Sequence, residues 1–121
     1  MKSNESMEDY LETILLLGKS MPVVRSIDVA TEMGFKKSSV SVAMKKLREL
    51  EYIVVSDAGY ITLTKSGKKM AEAVYERHQI ITDLLIALGV KKSIAAEDAC
   101  RIEHVISKQS FNALKKLYQN M

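Results

Sequence analysis

The chain holds one cysteine, one proline, no tryptophan and two histidines in 121 residues. A single cysteine excludes an intramolecular disulfide, so Cys100 is either a small buried hydrophobe or a thiol with chemistry to perform. No run approaches the roughly 18 consecutive apolar residues that a membrane span needs, and Met-Lys-Ser-Asn-Glu at the start lacks the apolar core of a signal peptide. A cytoplasmic address with no membrane partner is expected. Low-complexity linkers and internal repeats are also missing. With 47% hydrophobic and 27% charged residues, the balance is that of a globular protein rather than a disordered or fibrous one. A chain this short supports one mostly helical core more readily than two.

What is present is unevenly distributed. The net charge is only +3, but residues 34–70 carry eight Lys or Arg against three acids. Basicity is concentrated in one segment, which fits a nucleic-acid face, although a charged run is as often merely solvated. Met7, Leu11, Ile14, Leu15 and Leu17 recur at helical spacing and predict a first helix over 7–19, ended before Pro22. Ser26 is a good N-cap for a short second helix striped by Ile27, Ala30 and Met33, with Gly34 placed to end it in a left-handed conformation. Ser38 can cap a third helix whose buried face is expected at Val40, Met44, Leu47 and Leu50. Ile53–Ser56 and Tyr60–Leu63 flank Asp57-Ala58-Gly59, a hairpin pattern. Thr64 can cap a long helix from about Lys65 to Leu88 with Met70, Val74, Ile81, Leu84, Leu85 and Leu88 on its apolar side, stopped by Gly89. Two last helices are expected over about 95–107 and 110–118.

Two short helices joined by a tight turn and followed by a hairpin form the order of a winged helix-turn-helix, whose second helix enters the major groove of DNA. The predicted class is mainly α: a winged helix-turn-helix with a two-stranded wing over 1–70, then a helical dimerisation and metal-binding region over 71–121. Once the core positions of the third helix are assigned, its other face carries Ser39, Ser41, Val42, Lys45 and Lys46, preceded by Lys36, Lys37 and Ser38. Lysines neutralise phosphates and serine hydroxyls bond phosphates or base edges. Each serine is otherwise a cap or a solvated hydroxyl. Val42 reads as a minor core position, the commoner outcome, or as an apolar contact to a thymine methyl. Arg25 ahead of the second helix, and Lys65, Lys68 and Lys69 behind the wing, are either phosphate contacts or plain solvated surface.

Cys100, Glu103 and His104 make a C-x-x-E-H pattern, and spacings of three and four put all three on one side of a helix. Asp9 and Glu12 stand three apart on the first helix, and His78 falls in the long fourth one. Singly, each has an ordinary explanation: acids near a helix N-terminus, core filler, polar surface. Together they gather both histidines and the only cysteine of the chain. Sulfur, nitrogen and oxygen donors on three elements suit a divalent transition metal.

Met7-Glu8-Asp9-Tyr10-Leu11-Glu12, Ser38-Ser39-Val40-Ser41, Leu63-Thr64-Lys65-Ser66-Gly67, Arg77-His78 and Ala99-Cys100-Arg101-Ile102-Glu103-His104 resemble segments of the diphtheria toxin repressor and manganese transport regulator family. The resemblance spans nearly the whole chain. It implies a homodimeric repressor of metal-ion homeostasis that binds palindromic operator DNA when loaded with Mn²⁺ or Fe²⁺. Asp9, Glu12, His78, Glu103 and His104 then fall on ligands of the manganese branch. At Cys100 that branch carries glutamate and the iron branch cysteine, so the sequence mixes the two. Thr82 and Ala96 stand where the iron branch has two ancillary ligands. A thiolate favours Fe²⁺, Co²⁺ or Zn²⁺ over Mn²⁺, and Co²⁺ or Zn²⁺ are possible occupants in vitro.

One ion held by both the first helix and the C-terminal helices would set the spacing of two reading heads, whose half-sites lie roughly 34 Å apart in a two-fold dimer. Ile80, Leu84, Leu88, Val105, Ile106, Phe111 and Leu114 are available either for a dimer interface or for the intramolecular core. Two alternatives stand beside this reading. One is a metal-independent winged-helix regulator that senses oxidants through Cys100. The other is a small metallohydrolase with a metal-activated water, for which no catalytic motif is present and which leaves the basic head unexplained.

Overall fold

The computed structural model describes the backbone from Lys2 and the side chains from Met7 to Met121, in the order α1 (Lys2–Ser20), α2 (Ser26–Met33), α3 (Lys37–Glu49), β1 (Ile53–Val55), β2 (Ile61–Leu63), α4 (Lys65–Ala87), α5 (Lys92–Val105) and α6 (Lys108–Gln119). The chain divides into two compact units, Met1–Glu72 and Ala73–Met121.

The first unit is a winged helix-turn-helix. Tyr10, Leu11 and Ile14 of α1 meet Val29 and Ala30 of α2, Val40, Met44 and Leu47 of α3 and the wing residues Ile53 and Ile61 in one apolar core. Gly34 ends α2 at φ 69°, a left-handed conformation that a residue without Cβ adopts freely. The hairpin pairs Ile53 with Leu63, Val54 with Thr62 and Val55 with Ile61. The wing is tied to the segment before α2, since the Ile61 N–H donates to the Val24 carbonyl at 2.7 Å.

Several local expectations are corrected. Ser26 does not cap α2: Arg25, extended at φ −122°, occupies the cap, and its N–H donates to the Asp28 carboxylate at 2.9 Å. An acid three residues on satisfies the backbone from the other side of the turn, so the helix starts one residue early. Ser38 likewise lies inside α3, because the Lys36 carbonyl already accepts from Val40 N–H at 3.1 Å. Ile27 faces solvent, and Val29 is buried in its place beside the expected Ala30. Leu50 is 46% exposed. The chain turns away there because Glu51 takes φ 63°, a conformation that disfavours a side chain. Two hydroxyls hold that turn: Thr64 Oγ1 and Ser66 Oγ donate to the Glu51 carbonyl at 2.7 and 3.3 Å. Thr64 Oγ1 also accepts from Gly67 N–H at 3.1 Å, so it caps α4 as its type predicts.

In the second unit Ile80, Leu84 and Phe111 form a core on which Ile106, Leu114 and Tyr118 pack. Polar contacts fasten α6 to α4: Tyr118 Oη donates to Asp83 Oδ2 at 2.8 Å, and Lys115 Nζ lies 2.9 Å from Glu76 Oε2. Seven apolar residues of this region are available for a core or a dimer interface. Five of the seven pack inside the unit, whereas Leu88 and Val105 face solvent. Leu88 lies beyond the end of α4, 80% exposed, because the helix closes one residue sooner and Gly89 follows at φ 100°. Helix α5 begins at Lys92, three residues before the expected start. Among the described residues no helix is long and apolar enough to cross a membrane.

Candidate metal centre and nucleic-acid interface

Helix α5 buries Ala95, Ala99 and Glu103, one stripe at helical spacing. Ala95 and Ala99 are fully buried over its first turns, and Glu103 is carried inside at 1% exposure. Its carboxylate is held between two imidazoles. Oε2 is 3.2 Å from His78 Nδ1, and Oε1 is 3.4 Å from His104 Nε2, with the His104 side chain only 2% exposed. The Arg77 Nε–H donates to the Glu103 carbonyl at 2.9 Å, which fixes the backbone of α5 against α4 at this level. Burial pushes the His78 imidazole below its ordinary pKa, and the neighbouring His104 adds in the same direction. A lowered pKa leaves His78 neutral at pH 7, with a nitrogen lone pair to offer.

These atoms fit a divalent cation. His78 Nδ1 is buried and makes no hydrogen bond, although a carboxylate oxygen is 3.2 Å away. Two donors each about 2.1 Å from a shared ion lie roughly 3.0–3.4 Å apart at octahedral to tetrahedral angles, which matches both nitrogen–oxygen separations. Cys100 stands on the turn of α5 before Glu103, is exposed and makes no disulfide. Asp9 and Glu12 are half-buried on α1, in the first unit.

On α3 every residue assigned to DNA lies outside the core: Lys36 at the cap, then Lys37, Ser38, Ser39, Ser41, Val42, Lys45 and Lys46 are all exposed. The core alternative for Val42 is overturned, for it is 72% exposed. With Val40, Met44 and Leu47 inside, helical geometry turns Val42 outward. Arg25 is exposed but occupied. Its Nη2 donates to Tyr60 Oη at 3.2 Å, and the guanidinium sits 4.9 Å from the centre of the Tyr60 ring, joining the start of α2 to the wing. One exposed cation escaped the sequence reading. Arg48 shares a groove with Ser26, Ser41, Lys45, Met44 and Val55, and its spacing of three and seven from Lys45 and Ser41 was the available signal.

Two family models together cover almost the whole chain: iron dependent repressor, N-terminal DNA binding domain, over residues 2–60, and iron dependent repressor, metal binding and dimerisation domain, over residues 64–121. The chain belongs to the iron-dependent repressor family. The family is one of metal-dependent transcriptional regulators and not of enzymes. The iron-dependent repressor fold recurs in known relatives. The transcriptional regulator MntR of Escherichia coli O6:H1 is 32% identical over 115 residues, which is 95% of this chain and 74% of that protein. The metal-dependent transcriptional regulator MtsR superposes with a TM-score of 0.87 at 28% identity, over 93% of this chain and 53% of that one. A manganese-dependent transcriptional repressor in complex with manganese gives 0.84 at 27% identity, over 93% and 52%. The chain thus spans about half the length of these two solved structures.

Proposed function

We propose that this protein is a cytoplasmic, homodimeric repressor of metal-ion homeostasis that binds palindromic operator DNA when loaded with Mn²⁺ or Fe²⁺. The observation that carries the reading is the buried Glu103 carboxylate between the imidazoles of His78 and His104, in a chain whose reading helix turns a basic, hydroxyl-bearing face to solvent. His78, Glu103 and His104 would hold the ion, with Cys100 from the same helix and Asp9 and Glu12 from α1. When bound, the ion supplies the positive charge that lets these carboxylates converge.

The residues of the chain do the rest. Val42, Ser38 and Ser39 on α3 are available to base edges in the major groove, while Lys36, Lys37, Lys45 and Lys46 neutralise phosphates. Ligands drawn from α1 and from α4 and α5 reduce the freedom of the first helix, which removes an entropic cost from DNA binding. The coupling is reciprocal, typically about 5- to 150-fold in either direction. In a dimer the exposed Leu88 and Val105 are free for the partner. Carboxylate oxygens suit Mn²⁺, and one structural relative is a manganese-dependent repressor in complex with manganese; a Cys100 thiolate moves the preference toward Fe²⁺.

The deciding experiment titrates chelator-stripped protein with Mn²⁺, Fe²⁺ under anaerobic conditions, Co²⁺ and Zn²⁺ while its affinity for operator-selected duplex is read at fixed salt. Tightening by one or two metals is expected, and its loss in His104→Ala. Affinity indifferent to every metal overturns the reading, and sensitivity to peroxide that Cys100→Ser abolishes would install the redox regulator in its place. The role of Cys100 has its own signature: the Co²⁺-loaded protein should show a thiolate-to-metal charge-transfer band in the near ultraviolet that Cys100→Ser lacks. Identical spectra would remove sulfur from the ligand set.

A further inference from the structure

The groove that contains Arg48 lies on the first unit, with a volume of about 310 Å³. Ser26 at the start of α2, Ser41, Met44, Lys45 and Arg48 on α3, and Val55 at the end of β1 line it, and none of the six is acidic. One wall is the reading helix and the other is the wing. At about 100° per residue, Ser41 and Arg48 sit roughly 100–120° around α3 from Val42. If Val42 points at the bases, that flank points at what runs beside them. Ser26 is not the cap of α2, and it is one of the residues that line the groove.

We propose that this groove seats one sugar–phosphate strand of the duplex, with Arg48 and Ser26 as contacts additional to the reading face. The proposal rests on the DNA-binding function given above. Two cations and two hydroxyls without an acid complement a polyanionic backbone and carry no sequence information. The walls are also set in advance. Arg25 stacks on Tyr60 and donates to its hydroxyl, and the Ile61 N–H bonds the Val24 carbonyl, so the wing is fixed to the chain that leads into Ser26. Little ordering remains to be done when the strand enters.

The test uses the full chain loaded with its activating metal, an operator-selected duplex and a scrambled duplex, over roughly 50–200 mM salt. Arg48→Ala should weaken both duplexes by a similar factor, roughly 5- to 10-fold, and lower the slope of log affinity against log salt by about 1, leaving their ratio unchanged. Arg48→Lys should restore the slope. An Arg48→Ala protein with the parent's affinities and slope overturns the groove assignment while the regulator reading stands. A changed operator-to-scramble ratio overturns it too, by moving Arg48 to base readout. Failure of the parent protein to bind either duplex with any metal takes both readings down. Arg48 is exposed, and matching unfolding curves for parent and variants check that the fold is intact.

Discussion

Gly67→Ala is expected to cost roughly 3 kcal/mol or more and to lower the melting temperature by about 10 °C or more. A Cβ at this position would stand 2.0 Å from the Tyr52 carbonyl oxygen and 2.9 Å from its carbon. Both are backbone atoms, so no rotamer change relieves the contact. Relief requires moving the first turn of α4 away from the turn after α3. That junction is the one held by Thr64 and Ser66 at the Glu51 carbonyl, where Glu51 keeps its positive φ. Loss of the junction releases Tyr52 and the strand that follows, and with them Ile53, which is buried in the core. Gly18→Ala is the matched control. It lies within α1 with nothing within 4 Å of the added carbon, and the usual gain of about 0.4–1 kcal/mol from a stiffer unfolded chain is expected. Thermal unfolding of the two variants side by side checks the argument. Equal stabilities would mean that α4 does not dock on the Tyr52 carbonyl closely enough to exclude a methyl group.

The second large effect is at Glu103. Glu103→Gln keeps the volume of the side chain and removes its charge. A carboxylate withdrawn from water at 1% exposure costs several kcal/mol unless its charge is met, and a divalent ion between Glu103, His78 and His104 would meet it. The metal-loaded parent should therefore melt higher than the apo protein, by about 2.7 kcal/mol of stabilisation at a free metal concentration 100 times the dissociation constant. In Glu103→Gln that shift should vanish and metal affinity should fall by roughly 100-fold or more. The apo variant should keep its fold, because the amide fills the same volume and is cheaper to bury than an ion. These outcomes separate a ligand from a structural ion pair. Were Glu103 merely a partner for protonated His78 or His104, the substitution would destabilise the apo protein and leave any metal shift intact. Differential scanning calorimetry with and without Mn²⁺ or Co²⁺ reads both quantities.

Much of this was legible along the chain because the relevant physics is local. The 3.6-residue period placed α1, α3 and α4, and Gly34 and Thr64 ended and began helices as their backbone and hydroxyl chemistry requires. The β-prone runs around Asp57-Ala58-Gly59 made the wing, and a spacing of three and four set Cys100, Glu103 and His104 on one side of α5. The family resemblance rests on segments of α1, α3, α4 and α5 and on the stretch around Thr64.

Other features belong to tertiary structure alone. Ser26 and Ser38 are good caps by type, yet Asp28 reaching back to Arg25 and the extended Lys36 moved both helix starts upstream. Leu50 has the period of a core residue, yet it faces solvent beside a left-handed turn that a glutamate takes, where no glycine announces it in the sequence. Hydroxyls thirteen and fifteen residues further on hold that turn. Ile80 and Leu88 were indistinguishable as apolar helix residues, and only the arrival of Phe111 over Ile80 and Leu84 separated core from surface. Periodicity and capping are decided within a turn or two of chain, so sequence determines them. Which face meets which neighbour, how Glu103 comes between two histidines 25 residues and one residue away, and which groove receives Arg48 depend on packing between distant segments, and only the folded structure decides them.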